Sequence, residues 1–436
     1  MRVLWVCNIM LPRFAMMCGL PYSSREGWLT GSLERLIAEP ERKGRDGKLV
    51  ELGVCCPVPE DPGECRMEKD GVVFYGFLEN LNTPEVYDRV LEDRFVEILR
   101  DFKPDMVHIF GTEFPHTLAM VRAFANPRRT LIGIQGLCCT IADNYMADLP
   151  YSVQRRVTFR DWYRKDSLAM QQRKFRIRAK IESQALQHTA HITGRTTFDR
   201  RVTARLNPDA KYHFMNETMR PEFYEGRWDP EKIEPHSIFI SQGDYPLKGF
   251  HYMLEAMPYI LEKFPDAHLY VAGNSIIGNV GGRLKTKKKV PMPFWITSYG
   301  QYLRELIQRN GLQGHVTMLG SLTAEEMKAQ YLRSNVFVCP SIIENSPNSL
   351  CEAMMLGMPV VAAKVGGIGD LVEDGEEGIL FPGGKYRELA EGVNTIFYDT
   401  GVGVWLGENA ARSAALAHNP DTNFRRLLEI YRSIVH

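Results

Sequence analysis

The sequence has no surplus of either charge, because 53 Lys and Arg residues balance 53 Asp and Glu residues. This balance argues against a nucleic-acid partner that would need a globally basic surface. The nine cysteines include no C-x-x-C pair of the kind found in zinc or redox sites, so we expect reduced thiols in a cytoplasmic protein. No run approaches the roughly twenty apolar residues that cross a bilayer, so we expect the chain not to span one.

What the sequence does contain is two series of short apolar runs that alternate with amphipathic helical segments. Such alternation is typical of parallel sheets with helices on both faces, and a chain of 436 residues is long enough for two domains. The first series predicts strands at residues 3–7, 52–56, 72–75, 106–110, 131–134 and 191–193. The second predicts strands at residues 237–240, 268–272, 316–319, 336–339, 360–362 and 378–381.

The two series are separated by residues 216–235, which are rich in proline, glycine, tryptophan and charge and follow neither period. We therefore predict an interdomain linker there, between an N-terminal domain over residues 1–215 and a second domain over residues 236–405. The last segment, residues 406–436, has a helical pattern and is expected to pack back toward the N-terminal domain.

The strongest chemical signal lies at residues 341–382, SIIENSPNSLCEAMMLGMPVVAAKVGGIGDLVEDGEEGILFP. Glu344 follows a predicted strand, and Glu352 comes about one turn inside a helix that is predicted to begin at Asn348. Both carboxylates can then lie at the carboxyl ends of the strands, where open α/β sheets bind ligands. The alternative is a capped core helix with two incidental acids.

The start of this predicted helix suits a diphosphate. The backbone N–H groups of Asn348, Ser349 and Leu350 should lack partners within the helix, and the helix dipole adds partial positive charge there. Glu352 is then placed to accept hydrogen bonds from ribose hydroxyls, and Glu344 from hydroxyls of a sugar.

The segment resembles the E-x7-E signature of the retaining glycosyltransferases of family 4, the group 1 glycosyl transferases, which have the GT-B fold. The resemblance continues through Lys248-Gly249, the VAG at 271–273 and the LG at 319–320, and more weakly through EGWLTGSLERL at 26–36 and PDMVHIF at 104–110. It implies an α/β fold class with two Rossmann-like domains facing each other across a cleft, the first on the acceptor side and the second binding the donor.

The resemblance also implies the activity and several site residues. The enzyme would move a sugar from a UDP- or GDP-sugar to a glycan or lipid-linked acceptor with retention of configuration, in polysaccharide or glycoconjugate biosynthesis. Lys248 would meet the diphosphate as a mobile point charge, the alternative being a solvated lysine at a helix start. Gly27 falls where related enzymes have a glycine-rich loop that comes close to the donor phosphates and the acceptor. Gly273, the last residue of the VAG segment, would also lie beside the donor.

The sequence departs from the family pattern at two positions. Gly243 stands where an arginine usually shares the phosphate charge, which leaves that task to Lys248, the helix start and another basic residue such as Arg25 or one of Lys285–Lys289. Gln135 stands where a histidine often reaches the donor sugar. Gln135 could hydrogen-bond a sugar hydroxyl but not act as a general base, and a buried structural glutamine is the alternative.

The chain contains no D-x-D motif, with which transferases of the other large fold hold a divalent metal, so we expect neither metal nor cofactor. The leaving phosphate would itself accept the proton of the incoming hydroxyl, as the resemblance implies. Two other functions fit the same architecture: a non-catalytic nucleotide-sugar or glycan-binding subunit, suggested by the two departures, and a nucleotide-sugar epimerase, which would not be expected to carry the E-x7-E segment.

Residues 155–180 contain ten basic residues against two aspartates, with Phe159, Trp162, Tyr163 and Phe175 interleaved. This pattern predicts a surface that contacts anionic lipid or a lipid diphosphate, as a peripheral protein on the inner face of a membrane. A solvated charged helix and a dimer contact are the alternatives.

Overall fold

The computed structural model describes residues 1–21, 27–38, 50–61, 63–146, 148–274, 276–277 and 295–436. Arg25 and Lys285–Lys289, which were candidates for phosphate contact, lie outside this part of the chain. The described residues form two compact units. Unit 1 comprises Met1–Cys139, Lys174–Arg220 and Ala417–His436, and unit 2 comprises Thr140–Arg173 and Pro221–Leu416.

Each unit contains one sheet. The strands in chain order are β1 Arg2–Val6, β2 Glu51–Val58, β3 Arg66–Lys69, β4 Val72–Leu78, β5 Met106–Phe110, β6 Thr130–Gly133, β7 His191–Gly194, β8 Lys211–Phe214, β9 Ser237–Ile240, β10 His268–Ala272, β11 Val316–Gly320, β12 Val336–Cys339, β13 Val360–Ala363 and β14 Ile379–Phe381. Every strand predicted from the sequence overlaps one of these.

Helices connect most of the strands. In the described residues they are α1 Pro12–Met17, α2 Gly27–Ile37, α3 Val90–Phe102, α4 His116–Phe124, α5 Cys138–Asn144, α6 Tyr151–Gln154, α7 Phe159–Arg164, α8 Leu168–Gln187, α9 Thr197–Leu206, α10 Phe250–Leu261, α11 Ser298–Arg309, α12 Ala324–Arg333, α13 Asn348–Met355, α14 Tyr386–Tyr398, α15 Thr400–Ala417 and α16 Pro420–Val435.

In unit 1 the described strands form an eight-stranded sheet of order β3-β4-β2-β1-β5-β6-β7-β8, in which only β3 runs antiparallel to its neighbour. In unit 2 they form a six-stranded parallel sheet of order β11-β10-β9-β12-β13-β14. The strands that lie inside the sheets are largely apolar, as expected for strands covered by helices on both faces. The predicted fold class of two parallel Rossmann-like domains is confirmed.

The order of the strands in unit 2 reverses between β9 and β12. β9 pairs with β10 on one side and with β12 on the other. The chain therefore leaves β9 toward β10 and leaves β12 toward β13, in opposite directions along the sheet. Ligands of open α/β sheets bind in the crevice that this divergence creates at the carboxyl ends of the strands. The topology alone therefore points to the segments that follow Ile240 and Cys339.

Local sequence signals explain how the helices of unit 2 begin. Thr323 and Glu326 form the predicted capping box at the start of α12, each side chain pairing with the backbone of the other. α10 begins after Gly249, in the left-handed conformation, and buries an almost continuous apolar face that includes Met253 and Met257.

Residues 140–173, predicted within the N-terminal domain, belong to unit 2. The reason is a set of contacts distant in sequence. The buried carboxylate of Asp161 accepts a hydrogen bond from the N–H of Ser298 at 2.8 Å, at the start of α11. The hydroxyl of Tyr252 on α10 donates to Asp148 at 2.5 Å.

Two further boundaries differ from the prediction. The hydroxyl of Tyr431 on α16 contacts Trp5 Nε1 at 2.8 Å and His108 Nδ1 at 2.7 Å, so this helix is part of unit 1, whereas α15 up to Leu416 belongs to unit 2. The predicted linker is partly packed as well, because Trp228 is buried and its indole N–H donates to Ser334 O at 2.8 Å.

Candidate donor site

The site is built around an ion pair at the point where the strand order of unit 2 reverses. Lys248, in the turn between β9 and α10, donates from Nζ to Glu344 Oε1 at 2.6 Å. The hydroxyl of Ser341 donates to the same carboxylate oxygen at 2.7 Å. The two side chains are only 21% and 11% exposed. The structure therefore brings together two of the predicted site residues that are 96 positions apart in the sequence.

The ammonium of Lys248 keeps its charge in this setting. Burial opposes protonation, but the negative charge of Glu344 and the hydrogen bond to it outweigh the cost of burial, so the pKa of Lys248 is raised above its usual range. The ring of Tyr245 lies 5.8 Å from Nζ and adds a weak cation–π contact. A lysine that stays protonated thus stands, paired with Glu344, at the carboxyl ends of β9 and β12.

Two glycines allow the loops of this pair to approach one another. At Gly249, with φ of +68°, a Cβ atom would lie 1.8 Å from the carbonyl oxygen of Pro340. At Gly366, with φ of +56°, a Cβ atom would lie 1.8 Å from the carbonyl oxygen of Glu344. That carbonyl also accepts a hydrogen bond from Gly367 N at 3.1 Å. Because Gly249 and Gly366 have no side chain, the backbone can pack closely against the carbonyl groups of Pro340 and Glu344.

α13 begins at Asn348, as the sequence predicts, with Pro347 at the preceding position. One detail differs. The N–H of Leu350 donates to Pro347 O at 3.1 Å, because the first turn closes with a bond to the third residue back, so this group has a backbone partner. The carbonyl of Ser349 accepts from the hydroxyl of Tyr331 at 2.9 Å, which fixes the start of the helix against α12.

Glu352 lies one turn into α13 and is 4% exposed. A carboxylate is rarely buried this far without a functional or structural partner. Its position on the helix is the predicted one.

The structure explains the absence of the family arginine at Gly243. This residue is buried, and a Cβ atom there would lie 2.6 Å from Cγ1 of Val271 and 3.0 Å from the ring of Phe250. Both neighbours are core side chains with no exposed surface. The position therefore has no room for any side chain, and arginine could enter only after the sheet and α10 had moved apart.

A polar cluster that the sequence did not predict follows β9 and β10. Gln242 Nε2 donates to Asp244 Oδ1 at 2.8 Å, and Asn274 Nδ2 donates to Asp244 Oδ2 at 3.2 Å. Gly273, with φ of +100°, lies beside Gln242, 3.5 Å from its Cγ for an added Cβ. These hydrogen-bonding groups lie at the same carboxyl edge as Lys248, where they could bind a hydroxylated ligand. Of this cluster, the sequence predicted only Gly273.

The two candidates of the first half lie in unit 1. Gln135, just after β6, donates from Nε2 to Glu217 Oε1 at 3.1 Å, and Glu217 forms an ion pair with Arg195 at 3.3 Å. Gln135 therefore belongs to a polar group at the carboxyl edge of the sheet, which sequence reasoning missed because its members come from distant segments. Gly27 begins α2, and the stem of Arg220 occupies the place of its absent side chain.

The described residues contain no group of three or more His, Cys, Asp or Glu side chains that could hold a metal ion. Within the same part of the chain, no helix combines the length and the apolar character that crossing a bilayer requires.

Comparison with solved structures identifies the architecture. Sucrose-phosphate synthase from Thermosynechococcus elongatus aligns over 100% of this chain and 99% of its own with a TM-score of 0.66 and 16% identity. Anabaena HepE in complex with UDP-glucose aligns over 99% of this chain and 100% of its own, also with a TM-score of 0.66 and 16% identity. The fold is therefore that of two-domain GT-B glycosyltransferases.

Sequence comparison supports the same class for the second half of the chain. Residues 225–413 match the family model of glycosyl transferases group 1. The D-inositol 3-phosphate glycosyltransferase of Corynebacterium urealyticum is 28% identical over 188 residues, 43% of this chain and 41% of that protein. An uncharacterized glycosyltransferase of Methanocaldococcus jannaschii is 26% identical over 207 residues, 48% and 46% of the two chains. The matched region spans less than half the length of these relatives.

Proposed function

We propose that this protein transfers a sugar from a nucleoside diphosphate sugar, with UDP or GDP as the nucleotide, to a hydroxyl of a glycan or lipid-linked acceptor. The observation that carries the proposal is the ion pair of Lys248 with Glu344 at the carboxyl ends of β9 and β12. The family match over residues 225–413 and the UDP-glucose complex of the structurally similar HepE support the same reading.

The proposed chemistry rests on charge. Cleavage of the bond between sugar and diphosphate leaves negative charge on the departing phosphate, and prearranged donors aimed at that charge are the usual means of stabilising it. Lys248, which keeps its proton, and the first N–H groups of α13, at Asn348 and Ser349, would supply these donors. The proposal needs no metal ion and no cofactor.

The carboxylates would hold the donor. When Lys248 turns to the diphosphate, Glu344 becomes free to accept hydrogen bonds from sugar hydroxyls, while Glu352 accepts from the ribose. We infer retention of configuration, with the leaving phosphate taking the proton of the acceptor hydroxyl on the same face of the ring. Gln135 cannot serve as a general base, which is consistent with that route.

The test is a transfer assay with Lys248→Ala. A panel of nucleotide sugars is first screened for thermal stabilisation of the protein, since a ligand that binds only the folded state raises the apparent melting temperature. With the best donor, Lys248→Ala should lower turnover by about 10²-fold to 10³-fold. Lys263→Ala, which removes an exposed lysine of the same unit, should leave it unchanged. Full turnover by Lys248→Ala would remove this residue from the site.

The same assay separates the two remaining alternatives. A non-catalytic binding subunit would be stabilised by a nucleotide sugar yet neither hydrolyse nor transfer it, and an epimerase would change the donor sugar without releasing the nucleotide. Turnover that persists in EDTA would support transfer without a metal, and turnover that returns only with added magnesium or manganese would contradict it.

A further inference from the structure

One segment of unit 2 exposes an unusual number of large apolar side chains. Between residues 151 and 165, five such side chains are exposed, among them Trp162 at 68% and Tyr163 at 74%. The other three are Tyr151, Val157 and Phe159. Single exposed apolar residues are ordinary, but a contiguous group of this kind marks a contact surface. We call it the 151–165 surface.

Three cations of the 151–165 surface have no acidic partner. Among the described residues, no carboxylate lies within ion-pair distance of Arg155, Arg164 or Lys165, all of which are exposed. Arg155 instead donates to the hydroxyl of Tyr151 at 2.8 Å and lies over its ring. The surface therefore combines aromatic rings with uncompensated positive charge.

The neighbouring cations are neutralised. Arg156 forms an ion pair with Glu305 at 2.8 Å, and Arg160 forms one with Asp166 at 2.6 Å. Farther along, Lys174 pairs with Glu85 at 3.1 Å, in unit 1. Within residues 151–165, the cations that remain without an ion pair are therefore Arg155, Arg164 and Lys165.

Buried residues of the same segment anchor the surface to unit 2. Asp161 and Val153 are almost fully buried, and Asp161 accepts the N–H of Ser298. Thr158 donates from its hydroxyl to Ile296 O at 2.8 Å and also caps α7. Because these contacts hold the backbone of the segment, its exposed aromatic rings stay at the surface of unit 2.

We propose that the 151–165 surface binds the face of an anionic lipid bilayer. Tryptophan and tyrosine favour the boundary between acyl chains and water, since one end of each ring is apolar and the other polar. Arginine and lysine beside them are attracted to anionic head groups. This inference goes beyond the proposed sugar transfer and does not depend on it, because lipid binding is measured without substrate.

The test is flotation of the full chain with vesicles. We expect binding to vesicles of equal parts phosphatidylcholine and phosphatidylglycerol at low salt, weaker binding at high salt, and little binding to phosphatidylcholine alone. Equal binding to both compositions, or none to either, would overturn the proposal. So would a shift from dimer to monomer in Trp162→Ala without any vesicle binding, which would make the surface an interface between copies.

Variants separate the two contributions. Replacing Arg164 and Lys165 together by glutamine should weaken binding by about 25-fold, at about five-fold for each charge near an anionic surface. Trp162→Ala should weaken it by about ten-fold through lost apolar burial. The matched control is Trp405→Ala, which removes another exposed tryptophan of unit 2, on α15, and should change binding by less than about two-fold. Equal losses in Trp162→Ala and Trp405→Ala would refute the assignment.

Discussion

Gly366 offers a sharp test of how the site is held. An alanine there would bring its Cβ to 1.8 Å from the carbonyl oxygen of Glu344, in a backbone conformation with φ of +56° that alanine rarely adopts. Ordinary contact between carbon and oxygen requires about 3.3 Å, so one of the two loops must move by roughly 1.5 Å. The substitution thus displaces the carboxylate that pairs with Lys248 without touching either side chain.

The expected cost can be built from its parts. The left-handed backbone costs about 1 kcal/mol for alanine, and the lost hydrogen bond from Gly367 N to Glu344 O costs about 1 kcal/mol more. We therefore expect the free energy of unfolding to fall by about 2 kcal/mol. Displacement of a binding group by about 1 Å can reduce turnover by about 10²-fold, so binding and transfer of the donor should suffer more than stability.

Two other glycines serve as controls in urea unfolding and in donor-induced thermal stabilisation. Gly375 has φ of +79° but nothing within 4 Å of an added Cβ. Gly375→Ala should therefore lower the free energy of unfolding only by the cost of the left-handed backbone, about 1 kcal/mol, and leave donor binding intact. Gly369 has open space and no positive φ, so Gly369→Ala should be close to neutral. If Gly366→Ala behaves like Gly375→Ala in both measurements, the reasoning about Glu344 is wrong.

Three further predictions concern single residues. Glu352→Gln should raise the Kd for the nucleotide by about ten-fold in calorimetry, because a charge-assisted hydrogen bond is lost, and an unchanged Kd would remove Glu352 from the site. Gly243→Arg should not add a useful charge but lower the free energy of unfolding by about 3 kcal/mol or more, because Val271 and Phe250 leave no space; a stable, more active variant would contradict this. Burial lowers the pKa of His251 to about 4 from 6.5. The unfolded chain therefore takes up the proton first, and stability should fall by up to about 3 kcal/mol as the pH drops from about 6.5 to about 4. In urea unfolding, His251→Gln should show a shallower fall, and equal slopes would refute the assignment.

The sequence was most informative where local pattern and global fold agree. Strands such as β12 and β13 are uninterrupted apolar runs because helices cover both faces of their sheet, and this pattern can be read without a structure. The edge strands β3 and β8 were missed, because RMEK and KYHF are largely exposed and carry polar residues that no burial pattern distinguishes from a loop.

The site was predictable to the extent that it is contiguous. Glu344, α13 and the paired glycines lie within one segment, so spacing places them. The contact of Lys248 with Glu344 and the lack of space at Gly243 depend on strands that pack side by side from distant parts of the chain. For the same reason the sequence could not show that Asp161 joins residues 140–173 to unit 2.

Each unit is built from segments that are not consecutive in the sequence, and this limits where the chain can be divided. The polypeptide passes between the two units four times, near residues 140, 174, 221 and 417. A gene cut once near residue 216 would therefore yield a first fragment in which residues 140–173 lack the rest of unit 2. The second fragment would lack the contacts that Asp148 and Asp161 make with α10 and with the start of α11. Separate expression of unit 2 would require residues 140–173 to be joined to residues 221–416 by a short artificial connection.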